Sequence, residues 1–132
     1  MPVPGPSGYA FNRTRQVYLA TKLSVARTHW TRFRGLMGEN SVSFGAGRGL
    51  WIVPSRGVHT FAMKFPIDVI YLDEGRMVLH LEKNLSPWRV APVRVSAKSV
   101  LELPSDTLSL TGTSLGDEIE IVEGQTREDD PA

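Results

Sequence analysis

The stretch VHTFAMKFPIDVIYLDEGR, Val58 to Arg76, decides how this chain folds, because it sets a hairpin signal beside polar residues that do not belong in a buried sheet. IDVIYLD and the following RMVLHLEKNL are β-rich runs on either side of Asp73, Glu74 and Gly75, which predicts a β-hairpin. Within FPIDVIYL, Ile67, Val69 and Tyr71 share one face of an extended chain, and Asp68, Ile70 and Leu72 share the other. Both faces are therefore apolar, and the Asp68 carboxylate is expected to be at least partly buried. A buried charge without a partner costs several kcal/mol. Its partners would come from His59, Lys64, Arg34, Arg89 or the backbone N–H groups around Pro66.

Outward from the hairpin, the pattern remains that of short strands. Upstream, VHTFAMKF reads as extended: His59, Phe61 and Met63 would point one way and Thr60, Ala62 and Lys64 the other, same-face neighbours lying about 6.6–7 Å apart. GLWIVP is a compact apolar strand stopped by Pro54, preceded by the glycine- and serine-rich loop NSVSFGAGRG. In THWTRFRGLMG, Trp30, Phe33 and Met37 recur at helical spacing, Thr28 can cap the start and Gly38 the end, which predicts one short helix. QVYLATKLSVA reads as a strand or two short ones, AKSVLELP as another, and DEIEIVE as the last, with Ile119 and Ile121 alternating with acids. The chain is thus expected to be mainly β, an antiparallel β sandwich or barrel of six to eight short strands with one short helix. Residues 1–12, rich in proline and glycine, are expected to be a flexible leader, 13–123 a single β-rich domain and 124–132 an acidic flexible tail.

Composition narrows the classes of function. The 132 residues suit one core. Fifteen Lys and Arg against fourteen Asp and Glu leave no global field that would draw nucleic acid or an anionic membrane, so neither is expected as a partner. The charge is uneven: six basic residues and no acid lie between Met1 and Gly38, and seven acids against Arg127 between Asp117 and Asp130, a distribution that suits solvated faces. No cysteine is present, which excludes disulfides, thiolate nucleophiles, iron–sulfur clusters and Cys-type zinc sites. The N-terminus lacks the apolar run of a signal peptide and no stretch is long enough to span a bilayer, so a cytoplasmic location is expected.

RGLMG (34–38), GLWIVP (49–54), VHTFAMKFPIDVIYLD (58–73), LSPWR (85–89), SVLELP (99–104) and LGDEI (115–119) resemble, in order and approximate spacing, the blocks of the domain of unknown function 192 family. The resemblance runs from about residue 13 to about residue 122. It implies a small, mostly β domain of sandwich or barrel type and brings no established activity with it. The chain is similar to the branch with His-Thr-Phe before the methionine. In that branch the residue after the strand-ending proline is often cysteine; here it is Ser55, so thiol chemistry does not carry over. Many relatives are exported behind a signal peptide or lipid anchor, a feature this sequence does not show.

The residues favour a non-enzymatic binding or accessory module, with a polar pocket around Asp68 and His59 that also involves Met63, Lys64, Arg34 and Arg89, for a small polar ligand or a peptide end. No catalytic residue, resident metal or cofactor is assigned. The bland alternative for Asp68 is that it caps a turn or anchors a loop through hydrogen bonds. For Arg34 it is compensation of the helix dipole or a salt bridge with Asp68 or Glu102. Trp88 and Arg89 would form a lid. A second reading has His59 and Met63 as a soft-metal pair for Cu(I), although a methionine such as Met63 is more often core filler and the spacing matches no known motif. A third, less favoured, is a hydrolase: Ser55, His59 and Asp68 supply the residue types of a triad, without a nucleophile elbow.

Overall fold

The structure, a computed structural model, describes residues 8–42 and 44–124, without the side chains of Trp30, Phe33 and Arg34. Seven strands form one sheet: β1 (Gly8–Asn12), β2 (Val17–Ala26), β3 (Arg48–Ile52), β4 (Ile67–Leu72), β5 (Val78–Leu85), β6 (Ser99–Pro104) and β7 (Ile119–Val122). Their spatial order is β5-β4-β6-β3-β2-β1-β7. Every neighbouring pair is antiparallel except β2 and β3, which run parallel. The sheet curls until its two edges approach: Val78 N donates to Asp117 O and Ile119 N to Arg76 O, at 2.8 and 2.9 Å. The result is a half-barrel, mainly β.

The hairpin Ile67–Leu85 forms as its sequence dictates, with Tyr71 opposite His80. Curling gives the sheet an inner and an outer face. The inner cluster draws on every strand, from Ala10, Leu19 and Trp51 to Ile70, Val78, Leu101 and Ile119. The outer cluster, with Ile52, Val69, Tyr71 and Val100, is covered by connecting segments that supply Leu36, Phe44, Met63, Phe65 and Ala91.

Two short helices cover the sheet. α1 (His29–Arg34) begins where Thr28 predicts: its hydroxyl accepts from Thr31 N at 2.9 Å and the Thr31 hydroxyl accepts from Thr28 N, a reciprocal cap. It ends at Gly35 rather than Gly38, because Gly35 turns the backbone to φ +49°, where its N–H still bonds Thr31 O. α2 (Thr107–Thr111), which the sequence reading did not foresee, follows β6 and buries Leu108 in the inner cluster.

Two expectations are corrected. Residues 8–12 are not part of a leader: they are β1, paired with β2 and β7. The cause is local and specific. Gly8 lies so close to β7 that a Cβ would stand 2.3 Å from Val122 O, while Tyr9 and Phe11 meet the ring of Tyr18 edge-on. Asn12 is buried and donates to Asp117 Oδ2 at 2.9 Å and Thr113 Oγ1 at 3.1 Å, tying β1 to the loop before β7. The rest of the expected leader and nearly all of the acidic tail lie outside the described residues.

The second correction concerns VHTFAMKF, which is a loop and not a strand. Only His59 pairs in β fashion, with Val90. Thr60 breaks the run: its buried hydroxyl bonds Ser86 O at 2.6 Å and accepts from Arg89 N, and Met63 N turns back to Thr60 O while Ala62 adopts φ +59°. His59, Phe61 and Met63 therefore do not line one wall; Met63 is core and Phe61 is exposed.

Candidate functional site

Asp68 is as deeply buried as its surroundings predicted, 1% exposed, but its company is backbone. The β4–β5 register shifts after Ile67, so that Lys83 and Asn84 of β5 stand opposite Asp68 alone, a bulge of one extra residue. Into that bulge Asp68 turns Oδ1, which accepts from Asn84 N at 2.9 Å, while Oδ2 accepts from Leu108 N at 2.8 Å. Leu108 N is one of the orphan donors of the first turn of α2, whose own N-cap residue, Asp106, makes no side-chain cap. A carboxylate from a distant strand caps the helix instead. The loop-anchoring alternative stated for Asp68 is the arrangement observed.

Asp68 stands opposite Leu103 on β6, on the inner face. One residue along, Val69 pairs with Glu102, and these two belong to the outer face. Glu102 is also 1% exposed, and its Oε1 has no hydrogen-bond partner among the described residues. Burial pushes its carboxyl up to about 8, so at neutral pH it is largely protonated, a donor as well as an acceptor. The carboxyl floors a recess of about 50 Å³ whose walls are Arg32 and Gly35 from the end of α1, Ile52 of β3, and Gly57, Val58 and His59 from the loop. Gly35 fits here because the backbone at φ +49° rarely accepts a side chain. A second recess of about 160 Å³, between Leu36, Phe44 and Leu50, opens on the other side of Gly35.

The wall residues are held by local bonds. Arg32 donates Nε to Thr28 O at 3.3 Å and Nη1 to Pro54 O at 2.9 Å, while Nη2 meets His29 Nδ1 at 3.0 Å, bracing α1 on the strand end. His59 Nδ1 accepts from Phe61 N at 3.3 Å, and its ring lies 4.9 Å from that of Phe61, which stacks in turn on Trp88 at 6.0 Å.

Of the expected pocket residues whose side chains are described, only His59 lines the Glu102 recess. Asp68 is on the opposite face, Met63 packs in the outer cluster, and Lys64 and Arg89 are exposed. The side chain of Arg34 lies outside the described residues. Trp88 is exposed, stacks on Phe61 and lines neither of the two recesses. The triad residue types are not assembled either: Ser55 Oγ donates to Gly57 O at 2.7 Å, while both Asp68 oxygens are engaged across the sheet.

The family model described as Uncharacterized ACR, the domain of unknown function 192, matches residues 10–121. The chain belongs to this family. A UPF0127 protein of Thermococcus sibiricus is 33% identical over 114 residues, covering 83% of this chain and 71% of that protein. A UPF0127 protein of Thermococcus kodakarensis is 29% identical over 122 residues, 89% of this chain and 75% of the relative. In fold, the chain is similar to the crystal structure of a protein of unknown function from Novosphingobium aromaticivorans, with a TM-score of 0.74 at 20% identity, over 86% of this chain and 83% of the other. No helix among the described residues of this UPF0127-like domain is long and apolar enough to cross a membrane.

Proposed function

We propose that this member of the domain of unknown function 192 family is a non-enzymatic binding module, and that the recess over Glu102 receives the polar tip of a small ligand or of a peptide end. One observation carries the reading: Glu102 Oε1 is buried and has no hydrogen-bond partner among the described residues, at the floor of a recess that opens between α1 and the His59 loop. Buried polar groups are nearly always satisfied in folded proteins, and an exception calls for an explanation, of which a partner arriving from outside is one. The volume, about 50 Å³, admits a hydroxyl, amide or amine but not a whole molecule, so the remainder of the ligand would lie along the rim beside Arg32 and His59.

Protonated Glu102 would donate to the incoming oxygen, and an uncharged tip suits a recess that already has a guanidinium in its wall. The test is a thermal-shift survey with free amino acids, short peptides, monosaccharides and polyols at pH 6.5 and pH 9, run on the natural protein and on Glu102→Leu. At least one probe raises the melting temperature of the natural protein, more at the lower pH, and leaves Glu102→Leu unmoved. Equal shifts in both proteins, or none in either, would remove the recess from consideration.

A further inference from the structure

Beside the recess, residues 56–60 and 88–94 run antiparallel as an irregular ribbon on the outer face. Thr60 N donates to Arg89 O at 2.8 Å, Ala91 N to Val58 O at 2.9 Å and Arg94 N to Arg56 O at 2.9 Å. Thr60 and Ala91 are buried beneath it. The segment that carries the second limb exposes Trp88, Val90, Val93 and Val95, at 67, 66, 66 and 77%, with Phe61 stacked on Trp88. Segments 54–66 and 86–98 also hold Arg56, Lys64, Arg89, Arg94 and Lys98, all exposed, and no Asp or Glu.

Single exposed apolar side chains need no explanation, but four within eight residues, interleaved with cations and free of acids, do. We propose that this ribbon docks on an anionic lipid surface: Trp88 and the three valines enter the headgroup boundary while the arginines and lysines meet lipid phosphates. Tryptophan and aliphatic groups framed by Lys and Arg are the composition that lies in such an interface. Single-stranded nucleic acid also attracts cations and rings, but it uses free aromatic faces, whereas Phe61 and Trp88 turn a face to each other and valines offer nothing to stack on. The near-zero net charge, from which no membrane partner was expected, averages over the whole chain and conceals this local excess.

The full chain is sedimented with vesicles of phosphatidylcholine alone and of phosphatidylcholine mixed with phosphatidylglycerol, and tryptophan emission is recorded alongside. The protein pellets with the mixed vesicles only, less so as salt is raised, and its emission shifts to the blue, a shift that Trp88→Phe diminishes. Two double variants, Val90→Ser with Val93→Ser and Arg89→Gln with Arg94→Gln, each weaken retention by about tenfold or more while circular dichroism stays native. Absence of retention, retention unaltered in both double variants, or capture of a single-stranded oligonucleotide without capture of vesicles overturns the proposal.

Discussion

Asp68 and Glu102 occupy neighbouring strands, are buried to the same extent, and differ in what they touch. On the inner face Asp68 receives two backbone N–H groups, from a bulge in β5 and from the first turn of α2. On the outer face Glu102 Oε1 receives none, and its wall is a helix end and a loop. Depth alone therefore does not separate a satisfied acid from an open one; an accounting of donors does. The inner face is sealed by the meeting of β5 and β7 and by α2, and Asp68 is satisfied from within, although Trp51 Nε1 on the same face has no hydrogen-bond acceptor among the described residues. The outer face is covered by the short helix α1 and by irregular segments, where a polar group can remain open to a partner.

The sharpest way to break this contrast is to remove the inner carboxylate. Asp68→Ala strands the N–H groups of Asn84 and Leu108 and deletes the cap of α2, so urea unfolding should show a loss of about 3 kcal/mol. Asp68→Asn keeps an acceptor and should lose about half as much. Stability within about 0.5 kcal/mol of the natural protein in Asp68→Ala would show that the inner face does not depend on this anchor.

The outer carboxyl should reveal itself through pH. Its folded value, about 8, is raised above the ordinary 4.5, so between those values the folded state holds a proton that the unfolded chain releases. Stability must then fall as pH rises through this window, with a slope of up to about 1.4 kcal/mol per pH unit, and level off above it. Glu102→Gln should abolish the slope. Asp117 acts in the opposite sense. Burial pushes its carboxyl up, but hydrogen bonds from Asn12, Arg15 and Ser114 outweigh that and hold it below 3.8, so its contribution is lost only as acid is added below that value. The two limbs do not overlap, and unfolding measured from pH 4.5 to 8.5 isolates Glu102. A flat profile in the natural protein would mean that its carboxyl is not desolvated as described.

Much of the architecture was legible in short-range pattern. The hairpin, the Thr28 cap, the alternation of β2 and β7 and the apolar runs of β3 and β6 are encoded within a few residues of one another. The burial of Asp68 was legible for the same reason, since both faces of FPIDVIYL are apolar. SVLELP carries the same signal for Glu102, flanked by Leu101 and Leu103, yet that residue entered the sequence reading only as a partner for Arg34. Which acid finds donors depends on the register of β4 against β6 and on the positions of α1 and α2, and these are long-range properties. The parallel pairing of β2 with β3 is likewise invisible locally. VHTFAMKF misled because its apolar content suits a strand, while the feature that bends it, the Thr60 hydroxyl bonding Ser86 and Arg89, comes from more than twenty residues away. β1 was hidden by the prolines just before it.

The smallest effect is the most discriminating, because its sign is reversed between the two acids. Replacing Glu102 by Met keeps the volume and length of the side chain but removes a polar group that makes no compensating bond from Oε1. When an unsatisfied buried group gives way to an apolar one of similar shape, the desolvation penalty disappears and nothing native is lost. At pH 8, where part of the population would carry a buried charge, Glu102→Met should therefore stabilise the fold by about 1 kcal/mol, against the loss expected for Asp68→Ala. On the slope given above, the natural protein becomes more stable by roughly 3 kcal/mol between pH 8 and pH 5 while the Met variant does not, so the gain should turn into a loss at pH 5. A destabilisation of about 1 kcal/mol or more at both pH values would mean that Glu102 is anchored by interactions of its own, and the distinction between the two faces would then rest on Asp68 alone.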